Sequence, residues 1–168
     1  LRLSQKSFVS SAEDSRRDAK DAEYGGRGNF LGGSFAHVGV GIARAENEVS
    51  GRIIGAAFAV HSALGPGLLE SVYEACLYHE LGARGMQVLR QYAIPVVYRG
   101  LELECGYRVD LLVEGKVLVE LKTLEQLQPV HFAQALTYLR LSGKRLCLLL
   151  NFNELHMRYG IHRVVNRL

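Results

Sequence analysis

Two acids and a lysine lie within two apolar runs of the sequence between Tyr107 and Lys122. Asp110 lies in the run Val-Asp-Leu-Leu-Val, and Glu120 and Lys122 lie in the run Val-Leu-Val-Glu-Leu-Lys. Carboxylates are rare in apolar strands unless they are paired or bind a cation. Two neighbouring carboxylates suit Mg²⁺ or Mn²⁺, and such an ion lowers the pKa of a bound water. The set therefore suits hydrolysis of a phosphodiester, with Lys122 placing the water or stabilising the developing charge.

A structural ion pair is an alternative explanation for the presence of Glu120 and Lys122 in an apolar run. Glu120 and Lys122 are two positions apart on a predicted strand, so they share a face and can pair with each other. The charges could also lie on a strand that faces solvent. The spacing alone leaves the site, the ion pair and the charged surface open.

The turn between the two apolar runs decides whether the acids meet. Residues 114–116 can form a three-residue hairpin loop with Gly115 in the left-handed conformation. Asp110 then lies opposite Glu120 on one face of the sheet. A two-residue loop would place the two side chains on opposite faces. We therefore predict a loop of odd length, or a bulge.

An acid on one strand and Glu-x-Lys on the next resemble the core motif of the PD-(D/E)XK nuclease superfamily. The run Gly-Leu-Leu-Glu-Ser-Val-Tyr at 67–73 resembles the GxxExxY protein family, a bacterial branch of that superfamily. The resemblance extends from about Ser50 to the C-terminus. Ser62 departs from it, because a basic residue is expected after His61. Other matching segments follow in the expected order, namely 53–57, 60–61, 64–67, 134–139 and 148–152.

This resemblance implies a restriction-endonuclease-like α/β core, with a mixed central β-sheet flanked by helices. It implies a metal-dependent nuclease that hydrolyses nucleic acid, with DNA favoured. Asp110 and Glu120 would hold Mg²⁺ or Mn²⁺, helped by the carbonyl of Leu121 and by Glu70. Lys122 would steer the attacking water. The alternative is a non-catalytic nucleic-acid-binding or protein-interaction module that retains the nuclease fold.

Two helices are expected to complete the catalytic set. Glu70 would bring a third carboxylate to the metal, as in some superfamily members, or would simply stabilise the N-terminal end of its helix. Gln134 and Tyr138 lie four residues apart on one helix face. They resemble the Gln-xxx-Tyr pair of RecB-like branches, which lines the site and helps to place nucleic acid and catalytic groups.

Three further residues are weaker candidates for substrate binding. His61 resembles the family histidine before the Gly-Pro-Gly turn, Tyr73 belongs to the GxxExxY motif, and His131 precedes Gln134 by about one turn. Each has a plain alternative as a hydrogen-bonded packing residue.

The predicted elements place these residues on two helices and a sheet. Ser50 is a candidate N-cap for the first helix, and Pro129 can open the third. The predicted helices cover 51–64, about 68–84 and 129–142. The predicted strands cover 88–92, 94–98, 101–104, the two charged runs and 145–152, and a last strand or short element covers 158–165.

Length and charge fit one domain with an extension. The chain has 168 residues, of which 48% are hydrophobic. Residues 1–50 carry seven basic and seven acidic side chains and lie outside the resemblance. We expect them to form a disordered or non-family extension, and residues 51–168 to form the nuclease-like domain. The net charge of +3 permits nucleic-acid binding without demonstrating it.

The cysteines and the apolar runs indicate the cytoplasm. The three cysteines, Cys76, Cys105 and Cys147, are odd in number and form no CxxC pair. They predict neither a disulfide framework nor a zinc site. No apolar run approaches the roughly 20 residues of a membrane span. We therefore expect no membrane partner.

Overall fold

The computed structural model describes residues 44–103 and 107–166. Its helices are α1 (Arg44–Leu64), α2 (Glu70–Ala83) and α3 (Pro129–Ser142). Its strands are β1 (Val88–Ala93), β2 (Val96–Tyr98), β3 (Leu101–Leu103), β4 (Arg108–Val113), β5 (Val117–Lys122), β6 (Leu146–Asn151) and β7 (Ile161–Val165), with a 3-10 turn at Met157–Tyr159 before β7. None of the helices among these residues is long and apolar enough to cross a membrane.

Five strands form a mixed sheet in the order β1-β4-β5-β6-β7. Strand β5 pairs antiparallel with β4 and parallel with β6, while β1 and β7 close the two edges in antiparallel pairing. Strands β2 and β3 form a separate two-stranded ribbon. The mixed sheet and its flanking helices confirm the predicted restriction-endonuclease-like α/β fold.

The hairpin between β4 and β5 has the predicted odd loop. Val113 pairs with Val117, which leaves the three turn residues 114–116 between the strands. Gly115 adopts a left-handed φ of 61°, and Glu114 also has a positive φ of 53°. Because the loop is odd, alternate residues of both strands point to the same faces.

The sheet is covered on both sides, so its central strands are apolar on both faces. Leu111, Val119 and Leu121 pack with buried residues of α1 and α2. Leu112 and Leu118 alternate with them and pack with residues of α3. Glu120 therefore faces the α3 side of the sheet with Leu118. Val109 packs on that side as well, so the regular alternation of β4 is interrupted at Asp110.

Helix α1 begins earlier than the sequence suggested. It starts at Arg44, and Ser50 lies buried inside it rather than capping its end. The Ser50 hydroxyl donates to the Asn47 carbonyl at 3.0 Å and accepts from Arg163 Nη1 at 2.7 Å. This contact with β7 could not be read from local sequence. Residues 1–43 of the expected extension lie outside the described residues.

Other boundaries shift by a few residues. The strand predicted over 94–98 is broken by Pro95, so β2 begins at Val96, while the Ile94 amide donates to the Tyr107 carbonyl at 2.9 Å. Residues 104–106, which include predicted Glu104, lie outside the described part. The last predicted element divides into the 3-10 turn and β7.

Tyr73 fixes the loop that leads into α2. Its ring is fully buried and stacks on Phe152 with 4.6 Å between centroids. Its hydroxyl donates to the Gly65 carbonyl at 2.6 Å and accepts from the Leu68 amide at 3.1 Å. The loop just before Glu70 is thereby tied to the core.

The Tyr73→Phe variant tests this tie. Phenylalanine keeps the ring stack but leaves two backbone groups without their partner, so we expect a loss of about 1–2 kcal/mol in unfolding free energy. Urea unfolding measures this loss. Tyr78→Phe, on the exposed side of the same helix, is the control and should change stability by less than about 0.5 kcal/mol. Equal losses in the two variants would contradict the assigned role.

Candidate active site

Asp110 and Glu120 occupy facing positions on β4 and β5. The backbone ladder pairs Leu111 with Val119, and the next pair in the same register is Asp110 with Glu120. At this position the Asp110 side chain takes the place of a backbone acceptor, because its Oδ2 accepts a hydrogen bond from the Leu121 amide at 2.7 Å. The register and this bond place the two acids side by side at the end of the ladder.

Lys122 pairs with Glu120 across one face of β5. Lys122 Nζ donates to Glu120 Oε1 at 2.8 Å, and the two side chains are 14% and 6% exposed. The other carboxylate oxygen, Glu120 Oε2, is buried and has no hydrogen-bond partner among the described residues. The pair therefore leaves one buried acceptor unsatisfied, which is costly unless another group binds it.

Burial and mutual repulsion disfavour charge on these carboxylates. Burial, followed by the charge of Asp110, raises the pKa of Glu120 to about 7, although Lys122 opposes the shift. Burial also raises the pKa of Asp110, against the Leu121 amide and the Lys122 charge. The raised pKa values indicate that the groups around these two carboxylates supply too little positive charge to stabilise both in the charged form.

The surroundings of the Lys122 amine favour its charged form, unlike those of the two carboxylates. Burial alone would lower the pKa of Lys122, but the hydrogen bond and charge of Glu120, with the charges of Glu70 and Asp110, raise it. Lys122 is therefore held as a cation at neutral pH.

A divalent cation fits this arrangement. The orphaned oxygen of Glu120 and the poorly stabilised carboxylate of Asp110 are hard ligands of the kind that Mg²⁺ and Mn²⁺ prefer. The Leu121 amide points toward Asp110, and the carbonyl of a strand residue points to the same side as its amide. Among the described residues no group of three or more His, Cys, Asp or Glu side chains is arranged to hold a metal ion, so Glu70 does not form a ready ligand set with Asp110 and Glu120.

Glu70 approaches the site from the first residue of α2. It is partly buried, and burial raises its pKa, while Lys122 lowers it and Asp110 and Glu74 raise it. Its carboxylate is thus close enough to feel the charges of the strand residues. The turn fixed by Tyr73 sets the position from which Glu70 reaches them.

Gln134 and Tyr138 lie together on α3, which covers the same face of the sheet. Gln134 Nε2 donates to the Tyr138 hydroxyl at 2.8 Å. Burial raises the pKa of Tyr138, and the charge of Glu120 adds to this effect. Tyr107 packs edge-on against Tyr138, with 6.2 Å between ring centroids. The structure therefore brings this pair within electrostatic reach of the carboxylates.

The three weaker candidates have partners elsewhere. His61 Nε2 lies 2.8 Å from the Glu154 carbonyl, and Tyr73 bonds the loop before α2. His131 Nδ1 accepts the Gln128 amide at 2.9 Å, as part of a capping box at the start of α3. The contacts of these residues connect structural elements, and their substrate-binding roles stay predictions.

Two residues that the sequence did not single out join the site. Glu74 is only 7% exposed and accepts from Arg90 Nε and Gln91 Nε2, each at 2.9 Å. Gln91 Nε2 also lies 3.4 Å from Asp110 Oδ1. Glu74 follows Glu70 by one helical turn, and this spacing is the signal that could have revealed it. Gln91 carries no comparable signal.

Asn151 holds the chain that leaves β5 after Lys122. The side chain is fully buried at the end of β6. Its Oδ1 accepts the Leu124 amide at 3.0 Å, and its Nδ2 donates to the Leu124 carbonyl at 2.8 Å. These two bonds fix the segment between Lys122 and α3.

Comparison with known proteins identifies the superfamily of the chain. The family model of the PD-(D/E)XK nuclease superfamily matches residues 47–164, a range that contains all the candidate site residues. No curated protein and no solved structure shows significant similarity to the chain. A match over more than half of the chain shows that it belongs to the PD-(D/E)XK nuclease superfamily.

Proposed function

We propose that this protein is a metal-dependent nuclease that hydrolyses phosphodiester bonds of nucleic acid, with DNA as its substrate. The observation that carries this proposal is the convergence of Asp110, Glu120 and Lys122, since Asp110 Oδ2 accepts the Leu121 amide between the other two residues and Lys122 Nζ donates to Glu120 Oε1. Membership of the superfamily supports a nuclease-type function. The proposed compartment is the cytoplasm, where the free thiols of Cys76 and Cys147 would stay reduced.

Asp110, Glu120 and the Leu121 carbonyl would hold Mg²⁺ or Mn²⁺, with Glu70 completing the set from α2. When bound, such an ion supplies charge that acidifies water and neutralises a phosphate oxygen. The two raised carboxylate pKa values support this assignment, since burial raises both and a cation would stabilise the charged forms that burial disfavours. The orphaned Glu120 oxygen supplies an open ligand.

Lys122 would act as a cation and not as a proton acceptor, because its pKa is raised. An ammonium group has three hydrogens to donate, and Glu120 takes one of them at 2.8 Å. The other two can orient the attacking water and stabilise negative charge on the phosphate. A nearby positive charge also favours the deprotonated form of that water.

Gln134 and Tyr138 would form the substrate side of the site. The raised pKa of Tyr138 keeps its hydroxyl neutral, so it can donate a hydrogen bond to a phosphate oxygen. Gln134 donates to that hydroxyl oxygen at 2.8 Å and thereby sets its orientation. The pair would hold the backbone of the nucleic acid without reading its sequence.

The Lys122→Met variant tests the catalytic proposal. It keeps most of the side-chain volume and removes the charge, so we expect cleavage of DNA with Mg²⁺ or Mn²⁺ to fall by at least about a hundredfold. Lys116→Met, in the exposed turn of the same hairpin, should cleave like the wild type. Circular dichroism would check that both variants fold.

Equal cleavage by the wild type and Lys122→Met would show that the activity belongs to a contaminant and would overturn the mechanism. A panel of single- and double-stranded DNA and RNA, assayed with each metal, identifies the substrate. Salt-sensitive binding without turnover across that panel would support the non-catalytic alternative instead.

The Asp110→Asn variant separates a metal site from a structural ion network. Asparagine can still accept the Leu121 amide, but it removes a carboxylate whose pKa is raised in the folded state. We therefore expect the metal-free variant to melt a few degrees above the wild type at pH 8. If Asp110 belonged only to a structural ion network, the variant would instead be less stable than the wild type.

Thermal unfolding in EDTA measures this difference, and Glu114→Gln provides a control carboxylate in the same hairpin. Added Mn²⁺ should raise the melting temperature of the wild type, because it binds only the folded state. Asp110→Asn should lose most of this increase. A lower melting temperature for the metal-free variant would contradict the metal-site assignment.

Glu120 predicts a pH dependence of stability in the metal-free protein. Its folded pKa of about 7 lies above its ordinary value of 4.5, so the folded state binds the proton more tightly than the unfolded chain. The contribution of Glu120 to the unfolding free energy is therefore full below pH 4.5 and is lost as the pH rises toward 7. Urea unfolding in EDTA across this range measures the slope. Glu120→Gln should flatten it, and an unchanged slope would contradict the assignment.

A further inference from the structure

Gln91 has an unusual backbone conformation for a strand residue. Among the described residues that are not glycine, only Gln91, Arg99 and Glu114 have positive φ, at 48°, 50° and 53°. Arg99 and Glu114 lie in turns, whereas Gln91 lies inside β1. A left-handed conformation costs a residue with a side chain roughly 1 kcal/mol or more. Some contact must therefore hold Gln91 in place.

The distortion occurs directly opposite Asp110. Arg90 pairs with Leu111, and Tyr92 pairs with Val109, so the register between β1 and β4 is the same on both sides of Gln91. No residue is inserted, and the position that faces Gln91 in this register is Asp110. The distorted backbone at Gln91 thus interrupts the ladder at one pair and leaves the register of the two strands unchanged.

The twist changes the direction of the Gln91 side chain. Successive side chains of a regular strand point to opposite faces, but Arg90 and Gln91 reach the same carboxylate. Arg90 Nε lies 2.9 Å from Glu74 Oε1, and Gln91 Nε2 lies 2.9 Å from Glu74 Oε2. The left-handed φ is what allows both neighbours to bind Glu74 on α2.

Core packing is served by the distortion as well, because Val88 packs on the α1 and α2 side of the sheet, whereas Tyr92 packs on the α3 side. Gln91 is exposed, whereas its acceptor Glu74 is 7% exposed. The amide nitrogen of Gln91 has two hydrogens, and its two acceptors are Glu74 Oε2 at 2.9 Å and Asp110 Oδ1 at 3.4 Å. The contacts of the strained residue therefore lead from helix α2 to the carboxylate of Asp110.

We infer that Gln91 is a positioning residue, which links the buried Glu74 to Asp110 and holds the Asp110 carboxylate in the orientation that a metal ligand requires. Asp110 is then fixed at both oxygens, by Gln91 at Oδ1 and by the Leu121 amide at Oδ2. The part of this inference that concerns metal binding rests on the proposed function. The orientation of Asp110 does not depend on it.

Two substitutions separate the side-chain amide from the backbone strain. Gln91→Gly removes the amide and also relieves the strain, because glycine adopts positive φ freely. Gln91→Ala removes the amide but leaves a side chain in the unfavourable conformation. We expect the alanine variant to melt at a lower temperature than the glycine variant. Gln87→Ala, at an exposed glutamine just before β1, is the control.

Hydrogen exchange of the Leu121 amide reports the orientation of Asp110 without any metal. This amide donates to Asp110 Oδ2 at 2.7 Å, so a freer carboxylate protects it less. In metal-free protein, NMR should show exchange about two- to tenfold faster in both Gln91 variants, corresponding to part of one hydrogen bond. The Val119 amide in the adjoining ladder and the Gln87→Ala control should stay at wild-type rates.

Mn²⁺ affinity, measured by isothermal titration calorimetry, is the second readout. Residues that orient a metal ligand typically change affinity tenfold or more when they are removed, so we expect about tenfold weaker binding in both variants. A merely structural residue would give effects that follow stability, with the glycine variant close to the wild type. The same loss in glycine and alanine variants, despite different melting temperatures, supports positioning.

The outcomes distinguish this inference from the proposed function. Unchanged Leu121 exchange in both Gln91 variants would overturn the positioning role, whatever the metal does. Exchange that increases only in the alanine variant would also overturn it, since strain and not the amide would then be the cause. Faster exchange in both variants of a protein that binds no Mn²⁺ would leave the positioning role supported and would overturn the proposed function.

Discussion

The burial of two neighbouring carboxylates is the constraint on which the rest of this structure depends. Asp110 and Glu120 face each other across β4 and β5, and burial is the first cause of the raised pKa in both. Such a pair destabilises the metal-free protein, so the surrounding fold must supply the compensating stability. The apolar clusters on both faces of the sheet provide it. The candidate site thus lowers the stability of the protein locally, and the packing on both faces of the sheet compensates for this loss.

The scaffold also restricts how the charged groups can move. Lys122 ends a strand that is hydrogen-bonded on both sides, and Asn151 of the neighbouring strand ties the segment that follows it. Tyr73 anchors the loop before Glu70 in the core. Three separate segments therefore meet at fixed positions, so the charges cannot simply separate to relieve their repulsion. Protonation of Glu120, whose pKa is raised to about 7, relieves the repulsion, and the cation of the proposed function would do the same.

Helix α2 contributes to the site through two different contacts. Glu70 at its start feels the charges of Asp110 and Lys122 directly. Glu74, one turn later, accepts from Arg90 and Gln91 of β1 and so couples the helix to the strand beside Asp110. A strained backbone conformation persists only where surrounding contacts hold it. The edge strand β1 therefore contacts both Glu74 of α2 and Asp110 of β4, although it carries none of the candidate acids.

The sequence determined the alternation of apolar residues, the odd turn at Gly115 and the meeting of Asp110 with Glu120, because strand period and loop length are local properties. Asp110 with the Glu-x-Lys run at Glu120 and Lys122 indicated the superfamily. Tertiary structure alone decided that Ser50 lies inside a helix bonded to Arg163, and that Gln91 twists to reach Glu74. Both features depend on partners distant in sequence, and a positive φ at a glutamine follows from contacts that no local pattern encodes.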